Sequence, residues 1–179
     1  SWMSSLLDVE RHVRVVIMAG GIGSRFWPAS TPSRPKPLLA LGSSDQPLIA
    51  ETVQRGLTLV PAERLHVLAG ASLVGAFRDA VPNLGPASFW IEPRARGTAL
   101  VLAWAAHRIH QQDPEAVMVS LHSDHVVRPE SEFGRQILEA AALASEQDCL
   151  FTVAVPPTRP ETGYGYIRPG VPIPGRGSP

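Results

Sequence analysis

Residues 13–28 read "VRVVIMAGGIGSRFWP". Apart from Arg14, the first six are apolar, and the run then breaks into glycines at 20, 21 and 23. A short β-branched run bounded in this way predicts a buried strand leaving through a turn whose backbone can approach another group closely. Arg25 follows at once, and the chain's single lysine, Lys36, stands eleven residues beyond it. All fifteen other bases are arginine. Lys36 therefore offers a compact ammonium on a flexible stem, held between Pro35 and Pro37, where the chain otherwise uses planar guanidinium. A glycine-rich turn with two cations describes an anion site, phosphate above all. It is not a dinucleotide fingerprint, because G-x-G-x-x-G counted from Gly21 ends on Phe26, and no Gly-Lys-Ser/Thr of a Walker loop is present. A plain tight turn and an incidental surface lysine remain open alternatives at this point.

Outward from this stretch, apolar runs alternate with helical patterns. Strands are expected at 13–18, 64–70, 87–93, 116–121 and, in "CLFTVAV", at 149–155. Helices are expected over 47–60 with Asp45 as N-cap, over 72–81 with Ser72 near the start, and over the alanine-rich 97–112. A fourth, over 129–147, opens with proline and glutamates, which suit a helix N-terminus. Strand and helix taking turns predict an α/β fold of Rossmann-like type, a mostly parallel sheet covered on both faces in three layers. Such sheets bind ligands at the carboxyl ends of their strands, which marks 19–36, 92–98, 122–125 and 156–166. Trp90 and Trp104 fall inside apolar runs and are expected in the core. The expected domain runs over 1–168, followed by a Pro/Gly-rich tail at 169–179.

Sixteen acids balance sixteen bases over 179 residues, so no global field points to nucleic acid or an anionic membrane, and any anion site must be local. No apolar run is long enough for a membrane span, and the opening "SWMSSLLDVERH" lacks the basic-then-apolar order of a secretory signal. One cysteine, Cys149, expected to be buried, fits a reducing, cytoplasmic setting. A homo-oligomer is compatible with all of this. "HSDH" at 122–125 also admits a zinc reading through His122, Asp124 and His125, although no further Cys/His cluster completes it. "GYGY" at 163–166 admits a simple turn with packing tyrosines.

Four motifs in order carry a resemblance: "VVIMAGGIGSRFWPASTPSRPKPLL", "EPRARGTALVLAWAA", "SLHSDHVV" and "TVAVPPTRPETGYGYI". Together they resemble the sugar-nucleotide pyrophosphorylases and, through Trp27, Pro28 and Ser30, the mannose-1-phosphate guanylyltransferases among them. The resemblance implies transfer of GMP from GTP to mannose 1-phosphate, giving GDP-mannose and pyrophosphate, with Mg²⁺ as cofactor. It implies that Ala19, Gly20, Gly21, Gly23, Ser24 and Arg25 hold the nucleotide, and that Glu92, Arg96 and Thr98 contact its nucleoside. It further implies that Arg25 and Lys36 act on the reacting phosphates, that Asp124 holds the metal, and that Gly163, Tyr164 and Gly165 cover the sugar. Departures from the family pattern are Gly97 for Asn, Leu100 for Pro, His122 for Pro, and Pro37-Leu38 for Gln-Phe. The family's domain continues past G-Y-G-Y, with F-x-E-K-P and W-N-x-G segments and a second metal-binding aspartate. The resemblance thus implies either an amino-terminal fragment or truncated product of an active transferase, or a catalytically silent guanine-nucleotide-binding module or regulatory subunit of that family.

Overall fold

Val13, Val15, Val16 and Ile17 are fully buried, as a strand covered on both faces requires. The computed structural model describes residues 8–20, 31–42, 44–93, 97–147 and 149–171. A helical stretch over 8–12 (α1) leads into β1 (Val13–Met18). There follow α2 (Leu48–Leu57), β2 (Leu65–Ala69), α3 (Val74–Ala80), β3 (Phe89–Ile91), α4 (Thr98–Gln112), β4 (Val117–His122) and α5 (Glu130–Gln147). The four strands form one sheet in the order β3-β2-β1-β4, every pair parallel.

The alternation of side chains in β1 divides the core. Val13, Val15 and Ile17 face α2, α3 and α5, where Ile49, Val53, Phe77, Ala141 and Ala142 complete one apolar layer. Val16 faces α4 and packs with Leu68, Trp90, Val101, Ala105 and Ile109. The last three stand at i, i+4 and i+8, one stripe of a helix, and the expected alanine-rich helix is α4. Trp90 is buried, and the half-buried Trp104 meets it edge-on with centroids 6.0 Å apart. No helix of the described residues is long and apolar enough to cross a membrane.

Beside Trp90 lies a group that sequence reading passed over. His66 on β2 is buried and stacks on Trp90 at 3.9 Å, and among the described residues neither ring nitrogen has a hydrogen-bond partner. Burial, and then the charges of Arg14 and Arg108, push its pKa down to about 4. Unfolding restores the ordinary value near 6.5, so the unfolded chain binds the extra proton. Stability carried by neutral His66 is complete above pH 6.5 and is lost as pH falls towards about 4. The loss is on the order of 3 kcal/mol. His66→Phe, which keeps the stacking, is expected to flatten that part of the urea-unfolding profile. A wild-type profile with the same slope as the variant's would refute this.

Two expectations fail. Residues 149–155 form no strand, and Leu150 and Val155 are 102% and 86% exposed. Cys149 is exposed rather than buried. An apolar, β-branched run becomes a strand only when a neighbouring ladder and a covering layer take it up. β4, at the end of the sheet, is itself largely half-buried, with only Leu121 fully covered. Helix starts also differ: α2 has Pro47, not Asp45, at its N-cap, and α3 begins at Val74 after Leu73, two residues past Ser72.

Candidate active site

The parallel sheet brings the ends of all four strands to one edge. The ladder runs on past each strand: Ala19 N donates to Leu68 O at 2.9 Å, Glu92 N to Ala69 O at 3.0 Å, and Ser123 N to Met18 O at 3.3 Å. The order 3-2-1-4 makes the gap between β1 and β4 the point where the winding reverses, the position at which open α/β sheets bind ligands.

At that point two residues far apart in sequence meet. Lys36 Nζ lies 3.2 Å from Asp124 Oδ2, both side chains partly exposed. Each is held by its backbone. On the lysine side, Thr31 and Arg34 exchange backbone hydrogen bonds of 3.0 Å, Pro35 and Pro37 are buried, and a single turn of 3-10 helix covers Lys36–Leu38. Leu48 N then donates to Leu39 O at 3.0 Å, tying the segment to α2. On the aspartate side, Ser123 is buried, and the guanidinium of Arg55 donates to His125 O at 3.1 Å. Arg55 itself is buried, bonds Thr52 Oγ1 at 3.1 Å and lies 5.7 Å above the Phe133 ring. Burial lowers its pKa, against the raising effect of Glu130 and Glu51. Sequence reading missed Arg55. Its signal was an arginine at i+7 from Leu48 and i+3 from Thr52, on the inward stripe of α2.

The other oxygen of Asp124, Oδ1, faces His125 Nε2 at 3.9 Å, and the rings of His122 and His125 are 4.8 Å apart. Burial, then the charge of His122, lowers the His125 pKa; Asp124 opposes this, and Lys36 and Arg55 add to it.

Three strand spacings from Asp124, roughly 14 Å away, Glu92 leaves the end of β3. Its carboxylate reaches back across β2, so that a Cβ on Gly20 would stand 2.6 Å from Oε1. Burial raises the Glu92 pKa. A side chain at position 20 would therefore push the end of the Glu92 side chain aside. Thr98 is exposed and opens α4, directly after Gly97 at φ 92, ψ 161. That region of backbone space is essentially reserved for glycine, which accounts for the departure from asparagine at position 97. Gly97→Asn is expected to cost about 1–3 kcal/mol in urea unfolding. Because a Cβ there would meet nothing within 4 Å among the described residues, Gly97→Ala should cost a similar amount. An unchanged midpoint in both variants would contradict the strain account.

Gly21, Gly23, Ser24, Arg25 and Arg96 lie outside the described residues. Gly163, Tyr164 and Gly165 lie on an exposed loop held by its own bonds. Tyr166 Oη accepts from Glu161 N at 2.7 Å and donates to Glu161 O at 3.0 Å, and Gly163 N donates to Glu161 Oε1 at 3.1 Å. An open depression of about 530 Å³ lies within this turn, lined by residues 157–162 and Tyr166. The structure thus brings together Lys36 with Asp124 and Gly20 with Glu92, while the hydrogen bonds that hold the 163–165 turn among the described residues are its own.

Comparison with known proteins adds to this geometry. Residues 14–175 match the sequence profile of a family described as nucleotidyl transferase. The xanthan biosynthesis protein XanB of Xanthomonas campestris pv. campestris is 37% identical over 158 residues, which cover 87% of this chain and 33% of the relative. The mannose-1-phosphate guanylyltransferase of Salmonella muenchen is 36% identical over 156 residues, covering 85% and 32%. A crystal structure described as mannose-1-phosphate geranyltransferase from Thermus thermophilus superposes with a TM-score of 0.60 at 28% identity, over 74% of this chain and 37% of that one. The chain spans about a third of the length of the curated relatives it matches.

Proposed function

We propose, from the premise that this chain belongs to the nucleotidyl transferase family, that it transfers GMP from GTP to mannose 1-phosphate. In this reaction a phosphate oxygen of mannose 1-phosphate forms a bond to the α-phosphorus of GTP. The bond to the bridging α–β oxygen breaks, and pyrophosphate leaves with the electron pair. No covalent enzyme intermediate is needed, so the protein's work is placement and charge neutralisation. The observation that carries the reading is the Lys36–Asp124 pair at the switch point. Relatives bearing the guanylyltransferase name support the choice of base and sugar.

In this reading the amides of Gly20, Gly21 and Gly23, with Ala19, Ser24 and Arg25, cradle the triphosphate. Lys36 spans the reacting phosphates, and Arg25 offsets the charge growing on pyrophosphate. Glu92, Arg96 and Thr98 take the nucleoside end, and Gly163, Tyr164 and Gly165 take the sugar. A divalent cation, Mg²⁺ in our reading, fits Asp124. Lys36 occupies Oδ2 and leaves Oδ1, a hard oxygen ligand, beside a partly exposed opening. When bound there with substrate phosphate oxygens, it would supply neutralisation of phosphate charge. Phosphorylated substrates and a single cysteine fit a cytoplasmic setting.

The test is pyrophosphate release from GTP, mannose 1-phosphate and Mg²⁺, with GDP-mannose as the second product. Release that does not depend on mannose 1-phosphate would refute the proposed acceptor. A second reading, a guanine-nucleotide-binding module without turnover, is favoured by the exposed run 149–155. It expects GTP binding with no product.

A further inference from the structure

The turn that presents Asp124 carries two imidazoles that the proposed transfer leaves unused. His122, Asp124 and His125 each offer one ligand atom, and these atoms lie within 4.8 Å of one another. His122 and His125 are exposed and Asp124 is half-buried, so an ion can reach all three from solvent. The backbone beneath them is fixed on both sides, by Ser123 N on Met18 O and by the Arg55 guanidinium on His125 O. Asp124 also divides its carboxylate. Oδ2 takes the Lys36 ammonium at 3.2 Å, while Oδ1 turns towards His125 Nε2 at 3.9 Å.

We propose that His122, Asp124 and His125 form a site for a divalent transition-metal cation of the imidazole-binding class, to which Co²⁺, Ni²⁺ and Zn²⁺ belong. Two nitrogens and one oxygen are the donors such ions prefer, whereas Mg²⁺ and Ca²⁺ prefer oxygen alone. Bonds of roughly 2.0–2.2 Å set donors about 3–3.5 Å apart. Rotation of two exposed rings closes the remaining gap without moving the anchored turn. Three protein ligands leave further positions open to water or to a phosphate oxygen. The site shares Asp124 with the proposed transfer, but its test reads binding rather than turnover, so failure of one is distinguishable from failure of the other.

The experiment titrates the full chain with Co²⁺ near neutral pH without nucleotide and follows the visible ligand-field bands. A single saturating equivalent is expected, displaced by stoichiometric Zn²⁺ and not by millimolar Mg²⁺. His122→Asn and His125→Asn should each weaken Co²⁺ binding by about tenfold or more. Unchanged circular dichroism in the His122 variant confirms that the fold is intact, as expected for an exposed side chain. The double variant His107→Asn/His110→Asn removes the exposed pair at i, i+3 on α4 and should bind Co²⁺ like wild type. No ligand-field bands at millimolar Co²⁺, equal affinity in His122→Asn, or loss of the site in the His107/His110 double variant would each overturn the proposal.

Discussion

Lys36→Ala is expected to lower the rate of pyrophosphate release by about 10²–10³-fold, the range seen when one preorganised charge-stabilising donor is removed. Lys36 is the only lysine of the chain, and its ammonium stands 3.2 Å from Asp124 where the sheet's winding reverses. The fold should hardly notice the change. Both partners are partly exposed, and ion pairs of that kind contribute about 0–1 kcal/mol. Activity lost without a shift in the unfolding midpoint separates a role in phosphate chemistry from a structural one. Lys36→Arg tests the point further. A planar fork on a bulkier head does not reproduce a compact ammonium between two prolines, so Arg should recover only part of the rate. Full recovery by Arg, or an active Lys36→Ala, would contradict the assignment.

Arg55→Ala is expected to destabilise the chain by about 2–4 kcal/mol, through lost packing of the stem and of charge-assisted hydrogen bonds. The guanidinium is buried between Thr52, His125 O and the Phe133 ring, and its removal leaves the His125 carbonyl without this donor. Among the described residues its Nε has no hydrogen-bond partner, so the desolvated group is imperfectly compensated. Arg55→Met, which restores the stem but not the donors, should therefore lose less than Arg55→Ala. It should still loosen the turn that carries Asp124, seen as faster amide exchange over 123–127. Unchanged exchange in the Met variant would mean that the turn holds itself, and Arg55 would then be a packing residue only.

These two residues differ in how far the sequence announced them. Lys36 stood out as the lone lysine between prolines, and Asp124 through the resemblance of "SLHSDHVV" to the family motif. Strands β1 and β4 and helix α4 were equally plain, because short runs rich in apolar, β-branched residues read as strands and α4 repeats its apolar positions every four residues. The run 149–155 carried the same local signal as β1 yet stays exposed. Local pattern cannot tell whether a ladder will receive a strand. Arg55 and His66 depend on contacts made across the fold, with His125 O in one case and Trp90 in the other. Neither partner lies near in sequence, so only the folded chain shows what they do. Gly97 reversed the direction of inference. In the sequence it stands only as a departure from a resembled pattern, and its φ of 92 gives that departure a backbone reason.

Calorimetric titration with GTP and Mg²⁺, comparing wild type with Lys36→Ala and Asp113→Asn, is the most direct measurement of whether the β1–β4 edge holds a nucleoside triphosphate. Asp113 sits at the opposite edge of the sheet with His12 and Arg14. One binding site is expected, weakened about 10- to 100-fold by loss of the lysine and left unchanged by Asp113→Asn. GTP binding that ignores Lys36, or that follows Asp113, would contradict it.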